Sequence, residues 1–123
     1  MPRRVYIASP YSCPDPKTRA VRFFAACKAA ARVASMGDLA FSPIAHSHCV
    51  ACADALPPGF AFWRDWCFSF LRHWATHFVI LEIPGWRESA GVAAEKALAK
   101  ELGLPILAWA DFMLEGEGVS CVL

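Results

Sequence analysis

The chain has 123 residues and a net charge of +1, so no strong positive field attracts polymeric nucleic acid or an anionic membrane. Its length predicts one domain, residues 1–123, with a real hydrophobic core. Hydrophobic residues make up 57% of the chain and its mean hydropathy is +0.36, so we expect a homodimer or homotetramer that covers surplus apolar surface. The N-terminus leads into a strand without a signal-like apolar stretch, which predicts a cytoplasmic protein with reduced cysteines.

The first half of the chain alternates predicted strands and helices. Residues 4–9 form an apolar strand that ends in a turn rich in proline. A helix over 17–36 ends at Gly37, and a second strand covers 39–43. Residues 44–59 include Pro57-Pro58 and show little periodicity, which predicts a long loop. The apolar side chains that recur at helical spacing along the first helix are Val21, Phe24, Ala25, Ala29, Val33 and Met36.

The second half continues the same alternation. A helix covers about 60–74, a strand 77–83, a helix capped by Ser89 runs to about Leu102, and a strand covers 105–109 before a short terminal segment. This order predicts an α/β fold: a single Rossmann-like or flavodoxin-like three-layer domain with a parallel sheet of four to five strands. The loops after the first three strands should then meet at one edge of the sheet.

Glu95 is a candidate catalytic residue because it is an ionisable group on the small, apolar face of a helix. On a 3.6-residue period it shares that face with Gly91 and Leu98, whereas Lys96 and Lys100 lie on another. Its helix follows the third strand, which places Glu95 at the carboxyl edge of the sheet, where α/β proteins bind ligands. The spacing alone equally fits an ordinary carboxylate at the rim that pairs with a lysine.

The loop from Ser9 to Ser12 lacks the glycine spacing of a Walker A loop or a dinucleotide fingerprint. This argues against nucleoside triphosphates and NAD as ligands. Serine hydroxyls and backbone N–H groups at a strand end can hold a phosphate or a sugar hydroxyl. The alternative is that both serines only complete a turn.

The segment from His46 to Cys52 contains two histidines and a Cys-x-x-Cys pair. Four zinc ligands within seven residues would strain the backbone. A redox Cys-x-x-Cys is expected to open a helix after the first strand, which Cys49 does not do. Pocket-lining His46 and His48 are therefore favoured over a zinc or redox site, with solvated loop histidines as the alternative.

Asp65 lies among aromatic side chains, including Trp63, near the start of a predicted helix. One interpretation is a favourable interaction of its charge with the helix dipole. The functional interpretation is a carboxylate that accepts hydrogen bonds from a polyol ligand, beside aromatic rings that stack on a base.

Taken together, these residues resemble the nucleoside 2-deoxyribosyltransferase-like superfamily, which includes deoxyribosyltransferases and 2'-deoxynucleoside 5'-phosphate N-hydrolases. Within it, the pattern is similar to that of a small bacterial and phage family of unknown function (DUF1937-like). The matching segments extend in order over nearly the whole chain: Tyr-Ile-Ala-Ser-Pro-Tyr at 6–11, Phe-Ser-Pro-Ile-Ala-His at 41–46, Phe-Trp-Arg-Asp at 62–65, Pro-Gly-Trp-Arg-Glu-Ser-Ala-Gly-Val-Ala-Ala-Glu at 84–95, and Leu-Gly-Leu-Pro-Ile at 102–106.

The resemblance implies that Glu95 attacks the anomeric carbon of a 2-deoxyribose, so that the base leaves and a glycosyl-glutamate ester forms. Water or a second base then resolves the ester. It further implies that Tyr6 holds the Glu95 carboxylate in line and that Asp65 orients the sugar or assists the departing base. The implied substrate-binding residues are Ser9, Ser89 and Gly91 for a 5'-phosphate or 5'-hydroxyl, Phe41, His46, His48 and Trp63 for the base, and Pro10 and Ser12 in the first loop.

Two departures refine this expectation. Val92 follows Gly91 as in the phosphate-preferring N-hydrolases, whereas the transferases usually have threonine there, and Thr76-His77 stands where superfamily members often carry an aspartate. The valine favours a hydrolase of a nucleoside monophosphate, with transfer to a second base as the alternative. We expect the enzyme to need no cofactor or metal. The nearby helix N-terminus is expected to favour the charged form of Glu95. The alternative is a non-catalytic nucleotide-binding module of the same fold.

Overall fold

A four-stranded, all-parallel sheet forms the centre of the computed structural model, which describes residues 1–57 and 59–120, except for the side chains of 116–120. The predicted α/β fold with a parallel sheet is confirmed. The strands are β1 (Arg4–Ala8), β2 (Leu39–Phe41), β3 (His77–Ile80) and β4 (Ile106–Ala108); the helices are α1 (Pro16–Ser35), α2 (Pro43–Ala53), α3 (Phe60–His73), α4 (Ala90–Glu101) and α5 (Trp109–Ser120).

β1 is a central strand that is buried on both faces, as the layers of an α/β fold require. Its alternating side chains enter two separate hydrophobic clusters. Val5 and Ile7 pack with α1 and α5, whereas Tyr6 and Ala8 pack with α3 and α4. The buried members on the first face include Ala29, Val33, Val79 and Phe112; those on the second include Trp63, Cys67, Leu71, Phe78, Val92 and Leu98.

The strand order β2-β1-β3-β4 creates a switch point between β1 and β3. After β1 the chain moves to β2 on one side, and it later returns to β3 on the other side of β1. Connections that leave two adjacent strands in opposite directions open a crevice at their carboxyl ends, where ligands bind in this class of fold. The loops after β1 and β3 border that crevice.

The prediction of a loop over residues 44–59 is wrong for most of its length, because α2 covers Pro43–Ala53. The Oγ atom of Ser42 caps this helix by accepting a hydrogen bond from the N–H of Ala45 at 3.1 Å. Pro43 occupies its first turn, where a proline is well tolerated. The helix is barely amphipathic, so a search for hydrophobic periodicity could not find it.

The ends of the later strands also differ from the sequence expectation. β3 ends at Ile80 and not at residue 83, and the segment predicted as a strand over 105–109 contributes only Ile106–Ala108. Trp109 instead begins α5, which occupies most of what was expected to be a short terminal segment. The predicted helices over 17–36, over 60–74 and after Ser89 are confirmed to within one residue at each end.

The predicted buried face of α1 is confirmed only in part. Ala29 and Val33 are buried, but Val21 and Phe24 are 68% and 63% exposed.

Within residues 1–57 and 59–120, no helix is long and apolar enough to cross a membrane.

Candidate active site

A cavity of about 590 Å³ lies at the carboxyl ends of β1 and β3. Its wall is formed by the loop after β1, the loop before α4 and the first turns of α2, α3 and α4. Six residues predicted from the sequence line it: Ser9, Ser12, Trp63, Ser89, Gly91 and Glu95. The other lining residues are Tyr11, Arg22, Pro43, Ile44, Ser47, Phe60, Cys67, Gly85, Glu88 and Ala90.

Glu95 reaches the cavity from the second turn of α4 and is only 4% exposed. The hydroxyl of Tyr6, a fully buried residue of β1, donates a hydrogen bond to Oε2 of Glu95. The Tyr6 ring lies between those of Phe41 and Phe78, with ring centroids 5.8 Å and 5.7 Å away. The sheet therefore fixes the hydroxyl that orients the Glu95 carboxyl group.

Burial raises the pKa of Glu95 to about 8, while the hydrogen bond from Tyr6 acts in the opposite direction. This corrects the expectation that the helix N-terminus keeps Glu95 charged. The first residue of α4 is Ala90, so Glu95 lies beyond the first turn, where the dipole effect is concentrated. Burial, followed by the charge of Glu95, raises the pKa of Tyr6, and the same two causes raise the pKa of Cys67 to about 12.

Polar groups without protein partners line another part of the cavity. Ser9 is 4% exposed, and its Oγ atom has no hydrogen-bond partner among the described residues. Ser89 caps α4, since its Oγ accepts from the N–H of Val92 at 3.1 Å. The N–H groups of Ala90 and Gly91 then begin the helix without intrahelical acceptors, an arrangement that suits an anion or an oxygen-rich ligand.

Aromatic side chains of α3 form an apolar wall of the cavity. Trp63 is 5% exposed, and its Nε1–H donates to the carbonyl of Pro57 at 2.8 Å, which fixes the indole. A Cβ atom at Gly91 would lie 3.1 Å from Cδ1 of Phe60, so glycine allows this ring to approach α4 closely. Sequence reasoning missed Phe60 and Cys67, although their spacing from Trp63 on α3 places all three on one face.

Arg22 of α1 also lines the cavity, although nothing in the sequence pattern singled it out beyond its position outside the apolar set of that helix. Its Nη1 donates to the carbonyls of Tyr11 at 3.4 Å and Ser12 at 3.1 Å, and its Nη2 donates to the carbonyl of Pro84 at 3.4 Å. One guanidinium thus joins the loops that follow β1 and β3. Only the tertiary fold brings these two loops together.

Phe41 and Pro10 are not among the residues that line the cavity, and the expectation that they contact a substrate stays a prediction. Phe41 instead stacks on Phe70 with ring centroids 3.8 Å apart, and it supports the Tyr6 ring from the side of β2. Pro10 is fully buried. Phe41 therefore acts indirectly, through the ring of Tyr6.

His46 and His48 are not among the residues that line the cavity, although Pro43, Ile44 and Ser47 of the same helix are. The ring of His46 lies 5.0 Å from that of Trp66. Nδ1 of His48 is 2.6 Å from the hydroxyl of Tyr11, and its ring stacks on Phe23 at 4.1 Å. The expected base-pocket histidines are therefore helix-packing residues in this structure.

Asp65 points away from the cavity. Its side chain is 98% exposed, and its Oδ1 atom lies 3.8 Å from Nε of the adjacent Arg64. Within a single chain, Asp65 is therefore not among the cavity residues, and its expected role beside a sugar stays a prediction. An exposed pair of this kind contributes little to stability.

The cysteines considered for a zinc or redox site, Cys49 and Cys52, are free and exposed on α2. Sγ of Cys52 lies 3.9 Å from Nε2 of His48. Among the residues that the structure describes, no three histidine, cysteine, aspartate or glutamate side chains are grouped so that they could hold a metal ion. Cys121 lies outside the described residues.

Comparison with known proteins places the chain in a family without assigning an activity. No curated protein matches it. A family model described as "Domain of unknown function (DUF1937)" matches residues 3–111, a range that includes every residue lining the cavity. The chain therefore belongs to the DUF1937 family.

Proposed function

We propose that this protein cleaves the N-glycosidic bond of a nucleoside or nucleoside 5'-monophosphate through a covalent intermediate on Glu95. The observation that carries the proposal is a buried carboxyl group, oriented by Tyr6, in the wall of a cavity of about 590 Å³. That volume lies within the range of small-molecule sites. The resemblance to the nucleoside 2-deoxyribosyltransferase-like superfamily supports the same reaction.

The Tyr6 hydroxyl engages Oε2 of Glu95 and leaves Oε1 as the attacking atom. Oε1 of the ionised carboxylate bonds to the anomeric carbon as the electrons of the C–N bond leave with the base, which takes up a proton from solvent. The negative carboxylate also stabilises the oxocarbenium-like transition state. Water then attacks the anomeric carbon and releases one proton to solvent, the ester C–O bond breaks, and Glu95 returns as a carboxylate. In the transferase variant, a second base replaces water.

The rest of the cavity supplies binding groups for such a substrate. The Trp63 indole, fixed by Pro57, offers a flat apolar surface for a base. The unpartnered Oγ of Ser9 and the N–H groups at the start of α4 offer hydrogen bonds to sugar or phosphate oxygens. No cofactor has a part in this mechanism.

The second candidate is a nucleotide-binding module that does not turn over. Two observations favour it: a pKa of about 8 keeps most of Glu95 protonated at neutral pH, and Asp65 does not face the cavity. Both candidates use the same binding surface. They differ only in whether Glu95 reacts.

The deciding experiment incubates the protein with a panel of 2'-deoxy- and ribonucleoside 5'-monophosphates and their nucleosides, and detects free base by chromatography. We expect the wild type to release base from at least one of them and Glu95→Gln to release none. Glu101→Gln is the matched control, since Glu101 is an exposed carboxylate at the far end of the same helix. Binding without release by the wild type would support the module, and neither binding nor release would contradict both candidates.

We further propose that the protein forms a homodimer or homotetramer. The support is the exposure of large apolar side chains on α1, where Val21 and Phe24 project from the surface of a single chain. The partner is then a second copy of the chain, and the ligand is a small molecule.

A further inference from the structure

The guanidinium of Arg22 is positively charged, and all of its hydrogen-bond partners are neutral. Its three bonds go to the carbonyls of Tyr11, Ser12 and Pro84, and its Nε is buried without a partner. Within residues 1–57 and 59–115, no carboxylate forms a salt bridge with Arg22. The guanidinium is therefore held in place by neutral groups and has no ion-pair partner among these residues.

Gly85 makes this placement sterically feasible. It has a φ of +97°, and a Cβ atom there would collide with Nη2 of Arg22. The backbone of the loop after β3 thus passes directly over the guanidinium. Because Arg22 and Gly85 both line the cavity, the charge lies in its wall and not at a remote surface.

The two carboxyl groups that line the cavity, those of Glu88 and Glu95, form no salt bridge with Arg22. Among the described lining residues, Arg22 is the only lysine or arginine. Glu88 also lines the cavity, but it is exposed and makes no salt bridge with Arg22. A fixed cation in a partly enclosed site attracts anionic ligands and repels cationic ones.

We propose that Arg22 is a specificity-determining residue of this cavity, where it selects a ligand that bears an anionic group over the uncharged counterpart of the same ligand. The identification of the uncharged part of the ligand as a nucleoside rests on the proposed function. The preference for an anionic group rests on Arg22 itself. Lysine would keep the charge but would lose the planar fork that reaches three carbonyls.

The test measures binding by calorimetry, so that it does not depend on turnover. The ligands are 2'-deoxyadenosine 5'-monophosphate, 2'-deoxyadenosine, and inorganic phosphate and acetate as separate competitors. We expect Arg22→Met to weaken monophosphate binding by about tenfold or more, the usual size of a lost charge-assisted contact, and to leave nucleoside binding unchanged. Arg22→Lys should retain part of the preference. Competition by phosphate and not by acetate identifies a phosphate group as the selected anion.

Arg19→Met is the matched control. Arg19 lies one turn earlier on α1 and also binds loop carbonyls, those of Cys13 and Pro14, but it does not line this cavity. We expect this variant to keep the wild-type preference for the monophosphate. Gly85→Ala should reduce the preference by displacing the guanidinium, and it should add no further loss in the Arg22→Met background.

An equal loss of affinity for both ligands in Arg22→Met would overturn the proposal, because it would indicate a purely structural role. An unchanged preference would overturn it too. If Arg22→Met does not fold, as judged by its thermal unfolding, the same comparison is made with Arg22→Lys and Gly85→Ala. Retained anion preference in a protein that releases no base would refute the proposed reaction and support this inference.

Discussion

The hydroxyl of Tyr6 donates a hydrogen bond to Oε2 of Glu95, and this bond joins β1 to α4 across 89 positions of the sequence. Both side chains are buried. Burial raises the pKa of Glu95, whereas the bond from Tyr6 lowers it. The pair therefore determines the pH range in which an ionised nucleophile is present, and it makes both stability and activity depend on pH.

The first prediction concerns the stability of the wild type. The pKa of Glu95 is about 8 in the folded state against 4.5 in the unfolded state, so the folded state retains a proton that the unfolded state loses. The stabilisation that this retained proton provides is complete below pH 4.5. It falls as the pH rises towards 8 and is absent above that pH. The folding equilibrium constant should fall by up to about tenfold per pH unit in this window.

Urea unfolding between pH 4.5 and 8.5 measures this slope. Glu95→Gln should remove most of it and should be more stable than the wild type at the upper end of the range, because an amide does not ionise. Glu101→Gln should keep the wild-type slope, since Glu101 is exposed and the substitution leaves the buried Glu95 in place. Identical slopes for the wild type and Glu95→Gln would show that Glu95 does not titrate in this range.

The second prediction concerns the pH dependence of base release. A nucleophilic Glu95 must be ionised, so kcat/KM should rise about tenfold per pH unit below its pKa and level off above about 8. Tyr6→Phe removes the hydrogen bond that lowers the pKa of Glu95, and the plateau should therefore move to higher pH. Rates measured from pH 5 to 10 for both proteins check this shift. A rate that falls as pH rises would instead indicate that Glu95 acts in its protonated form.

The third prediction contrasts two residues of α3 that the sequence placed in the same site. Trp63 lines the cavity, whereas the Asp65 side chain is 98% exposed. We expect Asp65→Asn to keep the wild-type rate of base release. Trp63→Ala should raise KM by about tenfold or more, the usual cost of a lost base–aromatic stack. A large loss in Asp65→Asn would indicate that an assembled oligomer, and not the single chain, brings Asp65 to the substrate.

The sequence predicted those features that depend on local periodicity. The apolar run Val5-Tyr6-Ile7 before a proline-rich turn predicted a strand, and the helical period around Glu95 predicted that an acid lies on a face with small and apolar residues. The Ser9 and Ser89 segments were correctly expected at one edge of the sheet, because parallel strands place their carboxyl ends together.

The missed features depend on contacts between distant segments. Whether His48 faces a cavity or Tyr11 depends on how α2 packs against its neighbours, and the weak periodicity of α2 concealed even its existence. The guanidinium of Arg22 is held at the cavity by hydrogen bonds to carbonyls that lie 10 to 62 positions away in the chain. Similarly, the pKa of Glu95 depends on burial by several elements, whereas the sequence offered only the nearby helix N-terminus.

The fourth prediction concerns the oligomer. Val21 and Phe24 lie one turn apart on α1 and are 68% and 63% exposed, so a partner that covers them would remove apolar surface from water. Light scattering coupled to size-exclusion chromatography should give the mass of a dimer or tetramer. The double variant Val21→Glu/Phe24→Glu should shift it towards the monomer, because two charges in an apolar interface cost desolvation. Leu114→Glu is the control, since Leu114 is 66% exposed on α5. A shift in that variant alone would place the interface on α5, and a monomeric wild type would contradict the prediction.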